Sequence, residues 1–315
     1  MAQEIKKAII ATLAYFDIFD FPLKQEEIWQ WLFSEQRPID RKDFLGILGF
    51  LGEEGVVVEK DGFYFFPGRE NILAVREQRS EISEQKIKKA KRLVRWWLKH
   101  VPWIKAIFLT NSASYHNALE NSDIDLFIIA QKNRLWLTRF LAVLPLKILN
   151  LRPTKNNKKD KFCLSYFVSK DNLNLEKYEL VKDFPILVYW STFYLFLSGN
   201  DDWQKKFWQA NEWIKKYLPN FRCEWKGELD ANGKANINSE DIFLNVEEIS
   251  GSGLVDWMER WLKKFQLWYL PQELKKAVYE EENNSVYLND KIIKLHLESK
   301  IKGKEIWDKW RERMH

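Results

Sequence analysis

The chain has 315 residues, of which 46% are hydrophobic, 15% aromatic and 30% charged, and its formal net charge is +5. That length suffices for two or three domains, and few segments look low in complexity, so the broad class is soluble, globular and mixed α/β. Only two cysteines are present, Cys163 and Cys223, neither in a Cys-x-x-Cys or other metal-ligand spacing; this excludes a disulfide framework and points to a reducing, cytoplasmic compartment. The first residues, Met-Ala-Gln-Glu-Ile-Lys-Lys, lack the apolar core of a signal peptide.

Residues 1–68 read as a separate module. Ile5, Ile9, Ile10, Leu13 and Phe16 recur at helical spacing. The turn Phe19-Asp20-Phe21-Pro22 breaks that helix, and a second helix runs from Gln25 to Phe33. Asp40 caps a third, through Phe44, Leu45, Leu48 and Leu51, which Gly55 ends. Val56–Val58 and Phe63–Phe66 flank Lys60-Asp61-Gly62, a hairpin signal. Three helices followed by a hairpin resemble a winged helix-turn-helix. The third helix opens on Asp40-Arg41-Lys42-Asp43, whose charges cancel, so DNA binding is expected to be weak and the module to serve packing.

Residues 69–100 predict one long basic helix with an apolar side at Val75, Ile82, Ile87, Leu93, Val94 and Trp97. Its cations Lys86, Lys88, Lys89, Lys91, Arg92, Arg95 and Lys99, and a second run at Arg152, Lys155, Lys158, Lys159 and Lys161, suit either a phosphate-bearing partner or a solvated surface. From residue 101 to 198 strands and helices alternate. Ile104–Thr110 is an expected strand, Ser112–Leu119 a short helix, and Asp123–Ala130 a strand. Arg134–Asn150 is an expected helix, Lys161–Val168 a third strand, and Phe184–Leu197 an apolar helix. The apolar stretches Leu135–Leu151 and Phe184–Leu197 are interrupted or too short for a bilayer, so no membrane partner is expected. Residues 199–315 are expected to be helical and rich in Trp, with helices over Trp203–Leu218 and Val255–Leu270, a polar irregular stretch from Gly227 to Asn245, and tryptophans mostly in the core.

The chemistry concentrates between the first two strands of the middle region. Thr110-Asn111-Ser112 is followed by Asp123-Ile124-Asp125, and residues two apart on a strand share a face. Two carboxylates would then stand side by side across from a turn whose N–H groups and Ser112 hydroxyl suit phosphate. Such a pair can hold divalent cations against a triphosphate. This arrangement resembles the nucleotidyltransferase superfamily related to DNA polymerase beta, whose signature is Gly-Gly or Gly-Ser, a gap of about ten residues, then an acidic-apolar-acidic triplet. Asn111 stands where that signature has glycine, and Asn tolerates positive φ better than most residues.

The resemblance implies an α+β chain: a winged helix, a mixed-sheet palm and a helical C-terminal region. It implies Asp123 and Asp125 as ligands of Mg2+ or Mn2+, Ser112 on a β- or γ-phosphate of a nucleoside triphosphate such as ATP, and Asn111 shaping the turn. A nucleoside monophosphate would pass to a hydroxyl of a small molecule, RNA or protein. The superfamily's third carboxylate maps to Ser165, between Leu164 and Tyr166; Asp160 and Asp171 flank that strand, and His116 is expected at the surface. Serine cannot serve there as a base. The alternative is therefore a degenerate member that binds nucleotide or a partner without turnover, with the winged module as a regulatory or assembly element.

Overall fold

A computed structural model describes residues 2–34, 39–154, 156–179, 184–199, 201–222, 253–279, 286–296 and 299–314. Cys223, Lys155 and the polar stretch 227–245 lie outside the described residues. The chain is a mixed α/β protein with one antiparallel and one mixed sheet.

The first module follows the hydrophobic spacing. Helix α1 (Ala2–Asp17) leads through strand β1 (Leu23–Lys24) to α2 (Gln25–Gln30) and α3 (Arg41–Glu53). Asp40 caps α3, its side chain accepting from the N–H groups of Lys42 at 2.8 Å and Asp43 at 3.4 Å. Strands β2 (Val58–Lys60) and β3 (Phe63–Phe65) form the expected hairpin. Its tip residues Asp61 and Gly62 both take positive φ, 54° and 78°, as a two-residue turn matched to strand twist requires. The short β1 adds to β3, giving the order β1-β3-β2.

Helix α4 (Ile72–His100) is the expected long helix; Lys88, Arg92, Arg95 and Lys99 of its basic run are exposed, whereas Lys86 is buried and others of its cations are paired. Arg76 bonds Glu27 at 2.6 Å, and Arg79 donates to the Phe19 carbonyl at 2.6 Å and to Asn117 at 3.1 Å. The aromatic turn of the first module is thus tied to the region that follows. One apolar core runs continuously from Ile5, Phe16 and Trp31 to Phe108, Phe127 and Tyr189.

The second sheet has the order β7-β4-β5-β6-β9-β8. Its centre is β4 (Ile104–Thr110) antiparallel to β5 (Ile124–Ala130), with β5 parallel to β6 (Phe162–Ser169). Helix α5 (Leu135–Ile148) makes the crossover, as a parallel pair needs. One face carries Ala106, Phe108, Phe127 and Ile129 into the core shared with the first module. The other carries Ile107, Leu109, Leu126 and Ile128 against α4 and α5.

Several expectations are corrected. The helix expected over Ser112–Leu119 is a 3-10 turn, Asn111–Tyr115. The apolar run Phe184–Leu197 is not one helix: a 3-10 segment over Pro185–Thr192 precedes strand β7 (Tyr194–Gly199), which pairs with β4. The run is buried on nearly every side, so its composition carries no periodicity to separate helix from strand. A short helix α6 (Glu176–Glu179) lies before it. Helix α7 (Asp201–Ala210) ends before a 3-10 segment, Glu212–Lys216, rather than continuing to Leu218.

The region after residue 199 is not purely helical. After α8 (Gly253–Tyr269) and α9 (Gln272–Tyr279), strands β8 (Val286–Leu288) and β9 (Ile292–Leu295) extend the sheet, β9 pairing with β6. Helix α10 (Ser299–Met314) then packs on α1, where Trp310 Nε1 donates to the Ala11 carbonyl at 2.9 Å. Tryptophans divide: Trp208 and Trp213 are buried, whereas Trp257, Trp261 and Trp268 on α8 are exposed. No helix among the described residues is long and apolar enough to cross a membrane.

Candidate functional site

Four strand ends meet at one place. Strand β4 finishes at Thr110, β5 and β6 start at Ile124 and Phe162, and β9 finishes at Leu295 beside the middle of β6. Polar residues sit at these ends because the apolar alternation that fills the two cores stops there.

Asn111 takes φ 60°, the left-handed conformation that the glycine of the resembling signature would supply. Its carbonyl accepts from Ser114 Oγ at 2.6 Å, and its side chain hydrogen-bonds Asp125. The link from turn to carboxylates therefore runs through Asn111. Ser112 is half-buried in the same turn, its carbonyl accepting from Asn117 N at 2.8 Å. His116 ends the turn, also with positive φ, and lines a groove with Glu77 and Ser80 of α4.

Lys86 holds the approach to Asp123. Only 1% exposed, it donates to the carbonyls of Glu120 at 3.3 Å and Ser122 at 2.7 Å and to Asp160 at 3.1 Å. Lys89 takes the other oxygen of Asp160 at 2.5 Å. Asp160 is thus a structural carboxylate, its pKa lowered by those two lysines against the opposing effect of burial. Asp171 bonds Ser169 and lies 3.6 Å from Lys132. Neither flanking aspartate belongs to the central group.

That group consists of Asp123, Asp125 and Cys163, whose ligand atoms all lie within 4.8 Å of one another. Strand β6 thus brings the thiol of Cys163 to the aspartates, and Ser165, the expected third position, lies next to it on the same strand. Asp125 pairs with Cys163, but Phe127 pairs with Tyr166, so β6 carries an extra residue between. The bulge offsets Ser165, whose hydroxyl lies 3.2 Å from Cys163 Sγ and shares a hydrogen bond of 2.9 Å with His296 Nε2. His296 follows β9 and has no local sequence signal. It arrives only through the pairing of β9 with β6.

The electrostatics are those of two crowded carboxylates taken out of water. Burial and the neighbouring Asp123 raise Asp125 to about 6, against hydrogen bonds from Asn111 and Cys163 and the charge of Lys302. Burial and the same carboxylates push the Cys163 thiol up, so it is neutral. Burial, Lys294 and Lys302 bring His296 down to about 4.

No family model, curated protein or solved structure matches this chain. The site is therefore interpreted from its donors alone. Two adjacent carboxylates that repel each other suit a hard divalent cation completed by phosphate oxygens. A thiol beside them is a softer donor, which moves preference from Mg2+ towards Mn2+ or Zn2+.

Proposed function

We propose that this chain is a nucleotidyltransferase of the superfamily related to DNA polymerase beta. It would transfer a nucleoside monophosphate from a triphosphate to a hydroxyl. The supporting observation is the meeting of Asp123 and Asp125 with a turn in which Asn111 adopts left-handed backbone geometry. Asp123 and Asp125 would hold the cation, and Cys163 would join them as a third donor only on losing its proton. A bound cation would neutralise phosphate charge and acidify the attacking hydroxyl. The acceptor oxygen forms a bond to the α-phosphorus, the bond from that phosphorus to the bridging oxygen breaks, pyrophosphate leaves with that oxygen, and the hydroxyl proton passes to solvent water. Asn111 orients Asp125 through its hydrogen bond, and Lys86 fixes the segment that carries Asp123. Residues 1–68 form a winged helix used for packing, since Arg41 at the start of α3 is already paired with Glu26.

One observation favours a second reading, a nucleotide-binding member without turnover. Cys163 stands where a third carboxylate would complete the site, and its thiol is held neutral. The two separate in one experiment. The full chain is incubated with each α-labelled triphosphate and Mg2+ or Mn2+, and label is followed into small-molecule, RNA and protein fractions. Transfer that disappears in the Asp123→Asn/Asp125→Asn double variant supports the enzyme. Metal-dependent triphosphate binding without transfer supports the second reading. Unchanged metal affinity in the double variant rejects both.

A further inference from the structure

Near the carboxylates stands Arg152, with Arg139 in reach of it, and neither makes an ion pair among the described residues; Asp123 acts on Arg152 only from beyond that distance. Arg152 follows α5 at the start of β6, next to Leu151, whose carbonyl accepts from Phe162 N at 2.8 Å. It lies within electrostatic reach of Cys163 and Asp123, yet its Nη1 is buried with no hydrogen-bond partner among the described residues. Arg139 of α5 is close enough for the two cations to repel; burial and Arg152 bring Arg139 down to about 10. Arg139 Nη1 donates to the neutral amide oxygen of Gln266 at 2.6 Å, while its Nε is buried and has no partner among the described residues. Gln266 is itself anchored, donating to the Trp136 carbonyl at 2.8 Å. Among the described residues neither arginine has a carboxylate within ion-pair distance.

Two like charges held together, each with a buried and unused N–H, are costly without a counter-ion. Helix α5 and its link to α8 nevertheless keep them there. Planar guanidinium groups with free donors match phosphate oxygens. We infer that Arg139 and Arg152 form a phosphate cradle, and that the acceptor of the proposed transfer carries a phosphate group. Position assigns the cradle to the acceptor. In the order β4-β5-β6, the Asn111 turn lies at the β4 end, Asp125 on β5 with Asp123 just before it, and Arg152 beside the start of β6. The turn and the arginines flank the carboxylates on opposite sides, which leaves the turn to the triphosphate and the arginines to the other reactant. The acceptor assignment rests on the nucleotidyltransferase reading; the cradle does not.

The test uses the full chain with inorganic phosphate as probe, in EDTA, followed by phosphorus NMR line broadening. Arg139→Gln and Arg152→Gln should each weaken phosphate binding about tenfold, and Arg152→Lys should recover part of it, since the charge returns without the fork. A non-hydrolysable triphosphate analogue with Mn2+ should bind the Gln variants within roughly threefold of wild type, on the scale of a peripheral contact. No phosphate binding by the wild type, or equal binding by the variants, overturns the cradle. A parallel loss of triphosphate affinity overturns the acceptor assignment and gives the cradle to the triphosphate. Arginine-dependent phosphate binding with no triphosphate binding at all supports the cradle and rejects the transferase. If a Gln variant does not fold, Arg152→Lys decides alone: unchanged phosphate affinity there counts against the bidentate cradle.

Discussion

Lys86→Met is the sharpest test of how the candidate site is held. Methionine keeps nearly the same length and apolar stem, so little cavity opens and the change is chiefly the loss of the ammonium group. In the wild type that group, 1% exposed, satisfies the carbonyls of Glu120 and Ser122 and one oxygen of Asp160. Hydrogen bonds to charged groups contribute roughly 1.5–3 kcal/mol each, and removing one partner of a buried pair costs about 3–5 kcal/mol. The full penalty does not apply, because Asp160 is partly exposed and keeps Lys89 at 2.5 Å. The longest contact, 3.3 Å to Glu120, adds little. An expected loss of about 2–3 kcal/mol follows from the two remaining bonds after that discount. Urea denaturation measures it, and the slope should not change. Mn2+ binding by calorimetry, in the folded baseline, should weaken as well, because the freed carbonyl of Ser122 directly precedes Asp123. A loss below about 0.5 kcal/mol with intact Mn2+ affinity is the scale of an exposed lysine and would refute the clamp.

Further outcomes follow from the site and the sheet. Cys163→Asp should tighten Mg2+ binding more than Ser165→Asp, because Cys163 faces both aspartates while Ser165 lies beside it against His296; calorimetry giving the reverse order would displace Cys163 from the site. Asp125 and His296 should give opposite pH limbs in the metal-free chain. Asp125, raised from 3.8 to about 6, contributes stability that is lost as pH rises through that window, and His296, lowered from 6.5 to about 4, contributes stability that is lost as pH falls through its own. His296→Asn should therefore leave a chain that weakens from pH 4 to 6, and Asp125→Asn one that weakens from pH 6.5 to 4; identical urea midpoints across both windows would contradict the shifts. Gly199→Ala should destabilise by about 2 kcal/mol or more, since φ is 146° and the added Cβ would meet the Lys105 carbonyl oxygen at 2.8 Å. A thermal melt unchanged in that variant would mean the β4–β7 pairing is looser than described.

What could be read from the sequence was local. The strand Ile104–Thr110 matched its observed bounds because an apolar run ends there on Asn111, whose positive φ marks a turn. The Asp61-Gly62 hairpin and the Asp40 cap were legible for the same reason: one residue type meets one backbone demand. The failures were non-local. Cys163 joins the aspartates through the pairing of Asp125 on β5 with β6, which no local pattern around Leu164, Ser165 and Tyr166 reveals. His296, β8 and β9 reach the site across a long stretch of chain, and short strands carry too few residues to show a period. The Arg139–Arg152 proximity depends on α5 ending so that the following segment turns back to β6. The exposed aromatic rings of α8 follow an ordinary helical spacing, which does not reveal which side of a helix faces solvent.

The late arrival of β9 also bears on how the protein is made. On the ribosome β4, β5 and β6, which carry Asp125 and Cys163 with Asp123 just before β5, emerge well before β9. The nascent sheet then presents the edge of β6, bearing Tyr166, Phe167 and Val168, to whatever strand it meets until Ile292, Ile293 and Lys294 cover it. One side of helix α1 waits longer still, since Trp310 and Arg313 of α10 complete its contacts at Ala11 and Asp17. A chain interrupted before Ile292 would therefore carry its carboxylates beside an uncapped strand edge, a condition that favours intermolecular strand addition and chaperone capture over a stable truncated product.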